Sequence, residues 1–88
     1  MSPDEIRTIF HTFLRERIGP EYDPAAVAPA VSLFEGGWLD SLGMVDLLQC
    51  IESRFGVKVS EREAPGVARA SLEGLVQFVQ TRRVEPRS

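Results

Sequence analysis

Gly37-Trp38-Leu39-Asp40-Ser41-Leu42-Gly43-Met44-Val45-Asp46-Leu47-Leu48 reads as a loop running into a helix, with a serine on the helix's first turn. Asp40 is a suitable N-cap, because its carboxylate can accept a hydrogen bond from a backbone N–H that the first turn leaves free. Ser41 is then the first helical residue, with its hydroxyl beside the positive end of the helix dipole. Free N–H groups and the dipole both stabilise an anion there, so the position suits a phosphoryl group. Two glycines and a tryptophan precede the helix, which places the serine on an accessible shoulder.

Outward from this start, the helix is expected over about Ser41 to Phe55, stopped by Gly56. Met44, Leu47, Leu48, Ile51 and Phe55 form its wide apolar stripe. Leu42, Val45, Asp46, Gln49 and Glu52 fall on a second face, mixed apolar and acidic. Periodicity alone leaves open whether Leu42 and Val45 extend the core or face a partner. Cys50 is expected to be a small buried core thiol.

Upstream, Ser2-Pro3-Asp4-Glu5 is a helix start with cap, proline and capping-box glutamate in place. Ile6, Ile9, Phe10, Phe13, Leu14 and Ile18 recur at helical spacing, and Gly19-Pro20 ends the run. Arg7, Arg15, Glu16 and Arg17 fall on the opposite side. Residues 21–40 form a long connection, with a helical turn expected around Ala25 to Ala28. Val27, Val31, Leu33, Phe34, Trp38 and Leu39 are its candidate anchors, since a loop of this length needs its own attachments to the core. Downstream, Val57-Lys58-Val59 is short and extended. Ser60-Glu61-Arg62-Glu63 is expected to open a brief third helix that Pro65-Gly66 cuts off. Ser71 caps a last helix that buries Leu72, Leu75, Val76, Phe78 and Val79. The expected fold is all-α: a four-helix bundle with three long helices, one short one and a long first loop. One domain fills residues 1–88, with an ordered core over about 3–81 and a flexible tail at 82–88.

Charge and composition exclude several functions. The net charge is −3, and the whole of that excess lies between Glu35 and Glu63, where six acids face three bases. Nucleic acid calls for the opposite sign, so a basic partner surface fits better. One cysteine excludes an internal disulfide, and no metal-ligand cluster or phosphate-binding glycine loop occurs. No apolar run approaches the roughly 20 residues that span a bilayer, and no basic-then-apolar leader opens the chain, so no membrane insertion and a cytoplasmic location are expected. A hydrolase reading would make Ser41 a nucleophile, but Leu39 stands where a nucleophile elbow needs glycine. Its one candidate base, His11, sits on a helix beside Phe10 and Leu14, and no βα pattern supports a hydrolase sheet.

Leu39-Asp40-Ser41-Leu42-Gly43-Met44-Val45-Asp46-Leu47-Leu48, continued by Ile51-Glu52-Ser53-Arg54-Phe55-Gly56-Val57-Lys58-Val59, resembles the attachment region of acyl and peptidyl carrier proteins. The resemblance is strong from Leu33 to Val59 and looser elsewhere. It implies that a phosphopantetheinyl transferase attaches 4'-phosphopantetheine from coenzyme A to Ser41. It further implies that the chain is no enzyme, but holds an acyl or aminoacyl group as a thioester. The four-helix bundle is also the architecture it implies. Asp40, Leu42, Val45, Asp46, Gln49 and Glu52 become the partner-binding face. The implied partners are an adenylating or acyl-loading enzyme and a downstream acyltransferase, ketosynthase or condensation enzyme, with the carrier itself a monomer.

Leu33 to Gly43 looks particularly like discrete carriers, those of D-alanine and of polyketide and nonribosomal peptide pathways among them. Gly43, Gln49 and Ser53 dilute the acidic charge usual in fatty-acid carriers. Glu63-Ala64-Pro65-Gly66 stands where D-alanyl carriers have an aromatic segment. Together with the arginine-rich basic complement, these departures favour natural-product biosynthesis, with D-alanyl and fatty-acid carriers as alternatives. From another class, the alternative is a helical interaction module with an unmodified Ser41.

Overall fold

A computed structural model describes residues 1–83 of the 88. Among the described residues four α-helices follow in order: α1 (Pro3–Ile18), α2 (Ser41–Phe55), α3 (Ala64–Ala68) and α4 (Leu72–Arg83). A single 3-10 turn at Pro24–Ala26 interrupts the first connection. The described residues contain no strand beyond one isolated antiparallel bridge between Ser32 and Ser71. This is the all-α bundle expected, with three long helices and one short.

The helix starts follow from side-chain capping. Ser2 Oγ accepts from the Glu5 N–H and the Glu5 carboxylate accepts from the Ser2 N–H, the reciprocal pair of a capping box. At the head of α4, the Gly74 N–H donates to Ser71 Oγ. α2 ends at Gly56, whose φ of 68° is left-handed and suits a residue without Cβ.

Ile6, Phe10 and Leu14 on α1 lie in one row and are fully buried. They meet Leu47, Ile51 and Phe55 of α2 and Leu72, Leu75, Val76 and Val79 of α4 in one core. Phe10 and Phe55 pack with ring centroids 5.3 Å apart. At the edge of this core, Arg7 clamps α1 to α4 through a two-point bond to Glu73, at 2.7 and 2.9 Å.

Several expectations need correction. Ile18 is exposed, because α1 ends there and its last turn has passed the core. Val31 is exposed as well, and Tyr22 provides the buried anchor in its place. Phe34 is only half-buried, under the Arg69 guanidinium, whereas Phe13, Trp38, Met44, Leu48 and Phe78 are half-buried and pack against the core. Cys50 is half-buried rather than a core residue, since the core row of α2 runs through Leu47, Ile51 and Phe55. The Ser60–Glu63 reciprocal bonds do form, but in a turn ahead of the helix. Pro65 lies in the first turn of α3 and opens it rather than cutting it off. A proline suits that place because the first turn leaves its N–H positions unused. Finally, α4 continues through Arg83, and Arg82 pairs with Glu63 and donates to the Lys58 carbonyl. Of the tail expected at 82–88, residues 84–88 lie outside the described residues.

Candidate functional site

The connection between α1 and α2 delivers Ser41 to its place. Val27, Leu33 and Leu39 are buried in the core, and the Leu33 N–H donates to the Ala70 carbonyl. The Glu73 N–H donates to the Pro29 carbonyl, so the loop is stitched to the head of α4. A tight turn follows, with the Gly36 N–H bonded to Ser32 O at 2.8 Å and the Trp38 N–H to Leu33 O at 2.9 Å. Gly37 closes it at φ 85°, which a side chain would strain.

A second anchor escaped the sequence reading. Tyr22 OH lies 2.6 Å from His11 Nδ1, its ring packs edge-on against Trp38, and Arg15 lies over its face. His11 therefore serves packing of the loop that leads to Ser41, and the hydrolase reading loses its base. Burial, and then the charges of Arg7 and Arg15, lower the His11 pKa below the ordinary 6.5. A lowered folded-state value means that the neutral ring is favoured by the fold. Its stability contribution is complete above pH 6.5 and is lost as pH falls through the lowered value. Thermal melts should hold a plateau at neutral pH and decline on acidification. His11→Gln should remove part of that decline, whereas an unchanged acid slope would exclude His11 as its source.

At the helix head, Asp40 is extended and accepts from the Gly43 N–H through Oδ1 at 2.7 Å. The first intrahelical bond runs from the Met44 N–H to the Asp40 carbonyl. The N–H groups of Ser41 and Leu42 precede that ladder and point along the helix axis, as in any α-helix. Ser41 is exposed. An exposed hydroxyl, two first-turn N–H groups and the positive end of a 15-residue helix together suit a phosphoryl oxygen.

Leu42 is 72% exposed and Val45 52%, so neither extends the core stripe. Asp46, Gln49 and Glu52 are exposed on the same side of α2. The structure thus brings the mixed face together as read. It also shows what its acids are doing. Arg17, from the last turn of α1, donates from Nη1 to Asp46 Oδ2 at 2.5 Å, with Nη2 3.6 Å from Asp40 Oδ1. Glu52 accepts from the Val59 N–H at 3.2 Å. Gly43 makes room for this arrangement. A Cβ there would sit 3.1 Å from Asp40 Oδ1 and from Leu39 Cδ2, and 3.3 Å from Arg17 Nε. A shallow groove of about 230 Å³ runs alongside, lined by Arg17, Ile18, Gly37, Trp38, Leu39 and Asp40. Arg17 and Gly43 are the residues that sequence reasoning missed as parts of the site. Among the described residues no acid, histidine and cysteine cluster could hold a metal ion. No helix among them is long and apolar enough to cross a membrane.

The family model described as the phosphopantetheine attachment site matches residues 4–79, and the chain belongs to that family. 4'-Phosphopantetheine is the family's prosthetic group. Over 31 residues the chain is 55% identical to a D-alanyl carrier protein of Bacillus velezensis. That match takes in 35% of this chain and 40% of the relative's length.

Proposed function

We propose that Ser41 carries the phosphopantetheine and that the chain presents an acyl or aminoacyl group to partner enzymes. The observation that carries this reading is the exposed Ser41 hydroxyl at the head of a capped, 15-residue helix in a chain of the phosphopantetheine family. When bound, the group supplies a long arm whose terminal thiol holds the cargo as a thioester. The chain's own residues do the rest. Asp40 holds the first turn in register, Leu39 and Trp38 fix the approach of the loop, and the helix terminus favours the phosphodiester charge. Arg17 offsets the Asp40 carboxylate, which would otherwise repel a second anion next to it. Tethering keeps the cargo at high effective concentration near the partner.

Leu42, Val45, Asp46, Gln49 and Glu52, with Asp40 at the cap, form the partner-binding face in this reading. An apolar centre with a polar, charged rim suits a transient interface. Reversing its charge in the Asp46→Lys, Glu52→Lys variant should slow transfer from coenzyme A while leaving the helical circular dichroism intact. Unchanged transfer kinetics at low salt would remove this face from the interface.

The cargo is assigned to a discrete carrier of polyketide or nonribosomal peptide biosynthesis, working with an adenylating or acyl-loading enzyme. A D-alanyl carrier is the second reading, favoured by the identity shared with the Bacillus velezensis protein. Incubating the phosphopantetheinylated protein with adenylating enzymes of each specificity separates the two. Loading with D-alanine alone would select the second reading.

A further inference from the structure

The groove beside the helix head has walls that the bundle itself does not use. Its lining includes Asp40, the residue joined directly to Ser41, together with Ile18, Gly37 and Trp38. Trp38 is half-buried, and its ring packs edge-on against Tyr22. Its indole N–H, by contrast, has no hydrogen-bond partner among the described residues, although such a group ordinarily finds one when it leaves water. Ile18 keeps 42% of its surface exposed at the end of α1, outside the core row. A Cβ on Gly37 would meet nothing within 4 Å, so the groove is open on that side. Its volume of about 230 Å³ is room for several waters. Pockets that enclose a drug-sized ligand hold about 300–1,000 Å³, so this groove suits a short segment of a longer molecule.

The near end of a phosphopantetheine arm offers such a segment. After the phosphodiester come a carbon bearing two methyl groups, a hydroxyl and an amide. Ile18 and the indole ring are apolar partners for the methyls, and the indole N–H is a donor for the hydroxyl or the amide carbonyl. We propose that this groove is a resting site for the near end of the arm, held by Trp38 and Ile18 between visits to partner enzymes. The inference rests on the reading of Ser41 as the attachment residue, since only a group anchored there starts beside the groove. Tethering gives the arm a high local concentration, which lets weak contacts fill a shallow site. The same shallowness lets a partner enzyme draw the arm out.

Trp38 is the chain's one tryptophan, so its fluorescence reports on the groove alone. The test compares the chain before and after incubation with coenzyme A and a promiscuous phosphopantetheinyl transferase, with intact mass confirming the change. One net hydrogen bond favours the seated arm about fivefold, so acrylamide quenching of Trp38 should fall by about half in the modified chain. Nuclear Overhauser contacts should join the indole ring to the two methyl groups of the arm. Ile18→Ser, an exposed change that spares the core, should shrink the difference between the two forms while leaving quenching of the unmodified chain as it was. Mass gain with unchanged quenching, or with a quenching change but no contacts to the methyls, would overturn the resting site and leave Ser41 as the attachment residue. No mass gain in folded protein would overturn both.

Discussion

Ser41→Ala is expected to abolish loading with phosphopantetheine completely and to leave the fold unchanged. The hydroxyl is the nucleophile that must take the phosphoryl group, and alanine offers none. The residue is exposed on the first turn, and the cap that organises that turn belongs to Asp40 and Gly43. Surface changes away from caps and cores fall within about 0.5 kcal/mol, so the thermal melt of the variant should overlay that of wild type. Loading of folded Ser41→Ala at the wild-type rate would place the attachment elsewhere. Asp40→Ala makes the contrasting case: it removes the cap, at a cost of about 1 kcal/mol, and should impair loading only in part.

The largest effect on stability is expected at Phe10. It is fully buried at the middle of α1 and packs at a tilt against Phe55 across the α1–α2 contact. Phe10→Ala should cost about 3–5 kcal/mol, from lost burial and from the cavity left where two helices meet. A domain of this size holds about 5–15 kcal/mol in total. At about 4–8 °C per kcal/mol for a chain of this length, the melting temperature should fall by about 12 °C or more. Phe55→Ala should show a loss of the same order. A shift of a few degrees in either variant would mean that the aromatic pair does not hold the bundle together.

What could be read from the sequence is what local chemistry decides. The bounds of α2 follow from Asp40 and Gly56, those of α1 from Ser2 and Gly19, and the structure has both. Helical spacing located the fully buried row Ile6, Phe10 and Leu14, because a core face needs only the period of the helix. Leu42 and Val45 were undecidable by the same logic, since periodicity reports apolar character and not which side is covered. Long-range pairings were beyond reach. Nothing near Arg17 signals that residue 46 will lie across from it, 29 positions along. His11 and Tyr22 meet because a loop folds back, not because of their spacing. Pro65 misled for a related reason: proline stops a helix from within but starts one from its first turn.

The central claim is that the family's prosthetic group is carried by Ser41. The most direct measurement is intact mass followed by fragmentation, after incubation of the wild-type chain with coenzyme A and a promiscuous phosphopantetheinyl transferase. The account predicts one added phosphopantetheine, confined to fragments that contain Ser41. Addition on any other residue, or none to protein whose circular dichroism shows it folded, would contradict it.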